Sequence, residues 1–369
     1  KLISAVSKPG NTLVDLAVGQ GGDISKWIKS RLSFVFGIDI SSDNIENRIN
    51  GACARYLNYS KDFQIIPNAL FIQGNSSINL KSGDGLYTEK GRQIMNAVFG
   101  LGTKDKDKLG AGVYKNYGKA RDGFNITSCQ FAIHYFFESI ETLASFCRNV
   151  SEMTKVDGYF IGTSYDGKKI FNELKRVDKG ESKTIFLNEK KIWQITKNYD
   201  RKSFPDDQTS LGYAINVYQE SINKSFIEYL VNYNYFTRVL ENFGFVPLTK
   251  DEAKQIDLTD GIISFEKLYE MMNVEIKKNK NKKNEYGMAD KMSASEKKIS
   301  FFNNCFIYKK IRNVNSESVY KSLIENAGVE ENIIGSEESA AKEIVERTVS
   351  DIEQPVAKKL KKKVKLVIS

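Results

Sequence analysis

The stretch that decides the fold is TLVDLAVGQGGD, residues 12–23, in which a short apolar run ends at Asp15 and a glycine turn follows. The same form returns as FVFGID, residues 34–39, a second apolar run that ends in an aspartate. In a β-α-β unit, glycines after the first strand let a ligand approach the backbone, and an acid at the tip of the second strand can accept ribose hydroxyls. The pattern predicts a nucleoside-binding site, with a glycine turn that binds nothing as the alternative.

The composition of the turn indicates which kind of nucleoside would bind. A dinucleotide site uses a G-x-G-x-x-G turn to hold its pyrophosphate, whereas this turn reads GQGGD and places Asp23 at its mouth. An aspartate in that position suits a ligand without phosphate. We therefore predict S-adenosylmethionine as the cofactor.

Apolar runs alternate with helical periodicity through the first half of the chain, which predicts an α/β fold with a parallel sheet covered on both faces. Between residues 81 and 122 a Gly- and Lys-rich stretch predicts a loop with one short helix. Three shorter apolar runs then predict a small β insertion, and helical spacing over residues 226–240 predicts a helix. The predicted strands of the main sheet that follow the first two are 69–73, 124–129, 158–163 and one within 301–308. The runs of the insertion are 185–187, 192–195 and 213–217.

Composition limits the class of protein. The chain has 369 residues, 41% of them hydrophobic, which is enough for a substantial core. No apolar run approaches the roughly twenty residues of a membrane-spanning helix, so we predict no membrane association. Four scattered cysteines without C-x-x-C spacing indicate reduced thiols inside a cell, and with a single histidine they predict no metal site.

The chain divides into a globular domain, residues 1–312, and a polar tail, residues 313–369. The tail contains Tyr320 as its single aromatic residue and ends in KKLKKK, residues 358–363, a composition that predicts disorder. The net charge of +9 lies partly in this run, which we interpret as a solvated tail, with a nucleic-acid or nuclear-import patch as the alternative. Residues 277–298 are dense in Lys and Asn and predict a mobile loop.

A second motif, SCQFAIHYFFE at residues 128–138, holds the histidine beside an aromatic cluster at the end of the fourth predicted strand. Ligands bind at that edge of an open α/β sheet, although a histidine packed in the core is the alternative. Together with the glycine turn, the string CQF-x-x-HY resembles the signature of mRNA cap guanine-N7 methyltransferases, and the resemblance extends from Leu13 to Lys310. The insertion at residues 81–122 resembles that of the form found in large DNA viruses.

The resemblance implies a Rossmann-like class I S-adenosylmethionine-dependent methyltransferase with a small β insertion, acting on N7 of the mRNA cap without a metal. It implies an intracellular protein, in the virion, the host cytoplasm or the nucleus. It also implies capped RNA as partner and triphosphatase and guanylyltransferase domains upstream in the same polypeptide. The alternatives are an inactive subunit of this fold that binds RNA or a partner, and a methyltransferase for another RNA position.

The resemblance also assigns roles to residues. The implied cofactor-binding residues are Asp15, Gly19, Asp39, Asn75 and Gln130. The implied cap-binding residues are Phe131, His134, Tyr135, Tyr165 and Glu228, the last in EYLV, residues 228–231, where the glutamate accepts the guanine N1 and N2 hydrogens. No residue is assigned as an acid or base, because guanine N7 already presents a lone pair to the methyl group, and His134 is expected to position the base.

The sequence departs from the family pattern at several of these positions. Ala17 and Val18 replace the usual Gly and Cys of the first motif, and Asn75 stands in place of an aspartate, where its amide can still accept an adenine N–H. Tyr165 stands in place of a proline. The family's late tyrosine falls near Phe302 and Asn303 without a match.

Overall fold

The computed structural model describes residues 1–220 and 222–328. The strands of this part of the chain are β1 (Thr12–Asp15), β2 (Phe34–Asp39), β3 (Asn68–Gln73), β4 (Phe124–Gln130), β5 (Thr154–Tyr165), β6 (Ser182–Leu187), β7 (Lys190–Lys197), β8 (Ala214–Gln219), β9 (Lys224–Tyr229), β10 (Phe245–Pro247), β11 (Ile262–Ser264) and β12 (Asn303–Lys310).

The first numbered helix precedes β1, and the other numbered helices lie between the strands. They are α1 (Leu2–Val6), α2 (Ile24–Lys29), α3 (Ser42–Glu46), α4 (Ala52–Asp62), α5 (Glu89–Val98), α6 (Lys106–Leu109), α7 (Ala111–Lys115), α8 (Ile140–Met153), α9 (Gly167–Glu173), α10 (Tyr233–Asn242), α11 (Lys250–Gln255), α12 (Phe265–Lys278) and α13 (Ala294–Phe301). Short 3₁₀ helices cover Ile133–Phe137, Gln208–Ser210, Lys280–Glu285 and Ala289–Lys291.

The central sheet has eight strands in the order β10-β12-β5-β4-β1-β2-β3, with β11 also paired to β12. Strands β1 to β5 are parallel, and β12 runs antiparallel to β5. The predicted α/β class with a parallel sheet is confirmed. The strand order reverses between β1 and β4, and ligands bind outside the carboxyl ends of the strands at such a switch point.

Burial on both faces explains why the first strands are nearly continuous apolar runs. Every residue of β2 is buried. On one face of the sheet, Phe34, Phe36 and Phe124 stack with ring centroids 6.2 to 6.4 Å apart. Gly37 is required within β2, because a Cβ at that position would lie 2.6 Å from the Phe71 ring.

The β insertion is a four-stranded antiparallel sheet, β6-β7-β8-β9. Its inner face buries Trp193, Ile195, Ile215 and Val217 together with Tyr165 of the central sheet. The helix predicted over residues 226–240 is wrong in its first half, because 224–229 form β9, paired with β8. The helix α10 begins only at Tyr233, where the Asn232 side chain accepts from the N–H groups of residues 234 and 235.

Two predicted loops also contain more helix than expected. The stretch 81–122 contains α5, α6 and α7, and the predicted loop at 277–298 is covered by the end of α12, two 3₁₀ helices and the start of α13. The helix α13 begins with a capping box between Ser293 and Glu296. Local capping of this kind compensates for a composition that otherwise favours disorder.

Residues Lys1–Tyr320 form one compact unit. Residues 316–328 are helical, where the sequence predicted no order, and the buried Ser316 hydroxyl donates to Ser151 Oγ at 3.0 Å. The lysine run 358–363 and the rest of the predicted tail lie outside the described residues. None of the helices within 1–220 and 222–328 is long and apolar enough to cross a bilayer.

Candidate active site

The glycine turn after β1 lies open at the switch point of the sheet. Gly19 has φ +53°, a left-handed conformation that glycine adopts readily. Its N–H donates to Asp39 Oδ2 at 2.8 Å, so the turn is fixed to the tip of β2. A Cβ at Gly19 or Gly22 would meet nothing within 4 Å. The space beside the turn is therefore open to a ligand.

Asp39 both shapes the turn and keeps capacity for a ligand. Its Oδ1 accepts from Ser41 N–H at 3.0 Å and from Asn44 Nδ2 at 3.1 Å, while Oδ2 accepts from Gly19. A carboxylate offers about four lone-pair sites, so one on Oδ2 stays for a ribose hydroxyl. The neighbouring Ile40 exposes 58% of its surface at the same edge, and an apolar surface there can lie against a purine ring.

Asp15 is a buried carboxyl group at the end of β1, and it accepts the Ala17 N–H at 3.3 Å. Burial, then the charges of Asp23 and Asp39, raises its pKa well above the ordinary range, so the protonated form is favoured in the free protein. A cationic ligand beside these acidic groups would favour loss of that proton, whereas a phosphate would not. The acidic side chains therefore fit S-adenosylmethionine, which carries sulfonium and ammonium groups.

The side chain of Asn75 forms hydrogen bonds within its own loop, to Ser77, which the sequence did not predict. Its Oδ1 accepts from both the N–H and the hydroxyl of Ser77, at 2.9 and 2.7 Å. These two hydrogen bonds occupy both lone pairs of that oxygen, and the expected contact of the Asn75 amide with an adenine N–H stays a prediction. The Nδ2 group is what Asn75 can offer, as a donor to a purine ring nitrogen.

Asn149 and Ser76 were missed by sequence reasoning, yet they fix this loop. Asn149 on α8 is fully buried; its Nδ2 donates to the carbonyls of Ser76 and Ile78, and its Oδ1 accepts the Leu80 N–H. The Ser76 hydroxyl donates to the Leu16 carbonyl at 2.7 Å, joining the loop to β1. The signal available in the sequence was that Asn149, a polar residue, falls on the apolar face of the helix predicted after the fourth strand.

Gln130 and Phe131 end β4 at the same edge. Gln130 donates to Ser128 Oγ at 3.1 Å and accepts from Thr163 Oγ1 at 3.2 Å, so its contact with a cofactor stays a prediction. Phe131 has φ +52°, which is unfavourable for a bulky side chain and is found where surrounding structure enforces it. Its ring is 55% exposed and meets Phe265 edge-on at 6.1 Å.

His134 and Glu228 form a buried pair with unmet hydrogen-bonding capacity. His134 Nδ1 lies 3.7 Å from Glu228 Oε2, which is longer than a hydrogen bond. Within the described residues His134 Nε2 and Glu228 Oε2 have no hydrogen-bond partner. Burial lowers the pKa of His134 to about 3 and raises that of Glu228 to about 8. The pair is therefore uncharged near neutral pH, and such buried polar atoms are costly unless a ligand meets them.

Tyr135 connects this pair with the nucleoside half of the site. Its ring is 43% exposed and lies 4.3 Å from the His134 ring, at 64°. Burial, then the charges of Glu228 and Asp39, raise the pKa of Tyr135 to about 12. The ring contact places Tyr135 directly beside His134 after β4.

Tyr165 ends β5 and packs into the core of the β insertion. Its hydroxyl accepts from Trp193 Nε1 at 2.9 Å and from Gln219 Nε2 at 3.0 Å, and the ring is buried. Trp193 stacks on Phe302 with centroids 5.4 Å apart. Asn303, the other position near the family's late tyrosine, donates its amide to carbonyls of α13. The insertion therefore supports the ring that replaces the family's proline.

A separate cavity of about 340 Å³ lies beyond β5 and holds none of the predicted site residues. It is lined by Asp166, Lys168, Tyr233, Asn234, Pro247, Asp260, Ile262 and Asn304. The predicted residues gather instead at the glycine turn and around the His134–Glu228 pair.

Comparison with known proteins agrees with this geometry. A family model described as the mRNA (guanine-N(7))-methyltransferase domain matches residues 2–311. The chain is 28% identical over 309 residues to a probable mRNA-capping enzyme of Acanthamoeba polyphaga mimivirus, covering 82% of this chain and 23% of that protein.

Cellular relatives match over a shorter stretch. The chain is 26% identical to mRNA cap guanine-N(7) methyltransferase 1 of Arabidopsis thaliana and to the mRNA cap guanine-N(7) methyltransferase of Saccharomyces cerevisiae. Each match covers 66% of this chain, and respectively 55% and 48% of the relative. The chain thus spans about half the length of these cellular relatives and less of the viral one.

Proposed function

The chain belongs to the mRNA (guanine-N(7))-methyltransferase family, and from that premise we propose that it transfers a methyl group from S-adenosylmethionine to N7 of the guanine that caps an mRNA. The observation that carries the proposal is the buried pair His134 and Glu228, whose Nε2 and Oε2 atoms lack a hydrogen-bond partner among the residues that the structure describes. His134 follows β4, the strand paired with β1, and the open glycine turn follows β1. A ligand that forms hydrogen bonds with these two atoms must carry polar groups along its edge. A purine base carries such groups.

Residues at the ends of β1 and β2 would hold the cofactor. Asp39 keeps one acceptor site for a ribose hydroxyl, and Asp15 ends β1 just before the Gly19 turn. When bound, S-adenosylmethionine supplies a methyl group activated by a sulfonium. The carboxylates of Asp23 and Asp39 favour that positive charge, and its binding would favour loss of the proton from Asp15. Gln130 stays a further candidate contact.

Glu228 would recognise the guanine. As a carboxylate it can accept the N1 and N2 hydrogens together, and charge-assisted hydrogen bonds of this kind are the stronger ones. Tyr135 and Phe131 expose aromatic surface against which the base can lie. N7-methylguanine carries a positive charge, so aromatic faces and a carboxylate suit the product as well as the substrate.

His134 would position the base and not move a proton. Its burial keeps the imidazole neutral across the physiological range, because its pKa lies at about 3. Guanine N7 needs no deprotonation before it attacks, so alignment of the reacting atoms is the main requirement, and alignment can contribute about 7 kcal/mol or more. Tyr165 and the ring of Phe131 complete the walls that fix this alignment.

We propose capped RNA, GpppRNA, as the partner, and an intracellular location. The triphosphatase and guanylyltransferase steps that produce such a cap would act before this domain. Their position in the same polypeptide stays a prediction, supported by the similarity to the mimivirus capping enzyme.

Methyl transfer to cap analogues tests the proposal. The full chain would be incubated with methyl-labelled S-adenosylmethionine and GpppA, ApppA or uncapped RNA, and the label in each acceptor measured. We expect label in GpppA alone. Label in uncapped RNA would support a methyltransferase for another RNA position. Absence of transfer to every acceptor, with S-adenosylmethionine bound, would support the inactive subunit and contradict the proposal.

A further inference from the structure

We propose, resting on the function proposed above, that strand β9 binds the cap along its length: Phe226 packs against the guanosine beside Glu228, and Lys224 pairs with the triphosphate. Glu228 is the residue of this strand that the family resemblance assigns to the cap. The roles of the other two follow from their positions in the β insertion and from their exposure and charge.

The pairing of β9 with β8 sets Lys224, Phe226 and Glu228 on the inner face of the β insertion. Residues directly opposite each other in an antiparallel pair point to the same face of the sheet. Glu228 lies opposite Ile215 and Phe226 opposite Val217, and both partners are buried in the core of the insertion. Lys224 follows at the same spacing of two residues. The three side chains therefore form one row, with neighbours about 6.7 Å apart.

Phe226 lies on the inner face, yet it is not covered by the core. It is 39% exposed, whereas Val217 opposite it is 2% exposed. The reason is that β9 is the edge strand of the order β6-β7-β8-β9, so no further strand of this sheet flanks Phe226. At the next position of the row, Glu228 lies beside His134. Phe226 therefore offers an aromatic surface to a nucleoside whose base is held at Glu228.

The two ends of β9 differ in exposure and charge, which sets the direction of the triphosphate. At one end the Tyr229 hydroxyl donates to Glu138 Oε1 at 2.9 Å, and the following Leu230 is buried. At the other end Lys224 is exposed. A triphosphate is repelled by a carboxylate and attracted by an ammonium group. With guanine at Glu228, the phosphates therefore extend towards Lys224.

The amine of Lys224 is available for this contact, unlike those of two nearby lysines in the same sheet. Lys190 pairs with Glu220, and Lys191 Nζ lies 4.3 Å from the centre of the Tyr218 ring. Lys224 forms no ion pair within residues 1–220 and 222–328. It lies four residues from Glu228, about 13 Å along a strand, and its flexible four-carbon stem allows the charge to reach a phosphate within that distance.

Binding of ligands with and without the triphosphate tests the inference. Dissociation constants would be measured for the full chain, with S-adenosylhomocysteine present, by competition against labelled GpppA. The competitors are GpppA itself and guanosine, which keeps the base and the ribose but lacks the phosphates. The affinity of each variant for S-adenosylhomocysteine, measured separately, reports whether the variant is folded.

We expect Lys224→Met to weaken binding of GpppA by about 3- to 10-fold and to leave guanosine unchanged, and the loss should shrink as salt is raised. Phe226→Ala should weaken binding of both ligands by about 5-fold or more.

The matched controls lie on the outer face of the same sheet. Lys191→Met removes a lysine that contacts Tyr218, a residue that alternates with the inward-facing Val217. Ile227→Ala removes an apolar side chain that is 56% exposed and points away from the row, since it lies between Phe226 and Glu228. Both controls should bind GpppA and guanosine as the parent protein does.

Comparing two ligands on each variant separates recognition from folding. An equal loss for guanosine and GpppA in Lys224→Met would show that Lys224 is only structural and would overturn its role. A loss of the same size in Lys191→Met would show that any nearby positive charge suffices and would overturn it too. Unchanged binding of both ligands in Phe226→Ala would overturn the role of Phe226. Failure of the parent protein to bind GpppA, with S-adenosylhomocysteine bound, would contradict the proposed function itself.

Discussion

At the scale of single residues, burial sets the charges of His134 and Glu228. Burial raises the pKa of Glu228 to about 8 and lowers that of His134 to about 3, so the pair carries no charge in the free protein near neutral pH. Neither shift can be derived from sequence, because the residues are far apart in the chain and their burial depends on how the β insertion packs against the end of β4.

The protonation of Glu228 should couple cap binding to pH. If Glu228 accepts the guanine hydrogens as a carboxylate, it must lose the proton that it holds in the free protein. We expect cap affinity to rise between about pH 6 and 8 and to level off above that range, with proton release at about pH 7. Calorimetry in buffers of different ionisation enthalpy measures this release. A pH-independent affinity would contradict the role of Glu228, and Glu228→Gln should abolish both the linkage and most of the affinity.

The same residue should affect stability. The folded-state pKa of Glu228 lies above its ordinary value of 4.5, so the free energy of unfolding should fall as pH rises towards about 8. His134 acts in the opposite direction, but only below about pH 6.5, its unperturbed pKa. Between about pH 6.5 and 8 the fall is therefore due to buried carboxyls with raised pKa values, Glu228 and Asp15, and the Glu228→Gln variant isolates the share of Glu228. Denaturant titrations should show this decline in the parent protein and a smaller one in Glu228→Gln.

Asp39 should matter for cofactor affinity beyond its ribose contact, because it also fixes the Gly19 turn and accepts from Ser41 and Asn44. We expect Asp39→Ala to weaken S-adenosylmethionine binding by about 1.5–3 kcal/mol or more, in a protein that still folds. Calorimetric titration measures it. Ser82→Ala, at an exposed hydroxyl on the loop before α5, is a suitable control. Unchanged affinity in folded Asp39→Ala would remove Asp39 from the site.

At the scale of elements, the parallel strands could be predicted because each is a buried run between turn residues. The strand β9 could not, since Phe226, Tyr229 and Leu230 have helical spacing, although pairing with β8 makes 224–229 extended. Four of the six residues of this strand are exposed, so its apolar residues do not alternate in the way that identifies a half-buried strand. Tertiary pairing overrides the local pattern here.

The buried side chain of Asn149 should link helix α8 to the cofactor site. Asn149→Leu removes three hydrogen bonds to the loop 76–80 and leaves that loop's backbone groups unpaired. We expect a loss of stability of about 2–4 kcal/mol and weaker binding of S-adenosylmethionine, because the loop that carries Asn75 loses its support. Thermal unfolding with and without ligand measures both effects. A destabilised variant with undiminished cofactor affinity would show that the loop does not contact the adenine.

At the scale of the whole molecule, the order continues past the boundary at residue 312 that composition suggested. The low aromatic content of the tail led to a prediction of disorder, yet residues 316–328 are helical. The buried Ser316 contacts the end of α8. Composition reports how much apolar surface a segment can bury by itself. It does not report whether the rest of the protein provides a surface for it.

Two truncations distinguish these parts of the chain. Removal of residues 329–369 should leave methyl transfer to GpppA unchanged and weaken binding of long RNA in a salt-dependent way, since the lysines at 358–363 can neutralise phosphates. Removal from residue 313 onward should also lower stability, because it deletes the Ser316 contact. Equal thermal unfolding of the two truncated proteins would contradict the second expectation.

The position of the transferred methyl group tests the central claim most directly. The full chain would methylate a GpppRNA, and the product would be digested to nucleosides and analysed by mass spectrometry against methylated standards. We expect N7-methylguanosine from the cap as the single new nucleoside, with its yield strongly reduced in Glu228→Gln. A methyl group on a ribose, on an internal base or on another atom of the cap guanine would contradict the account.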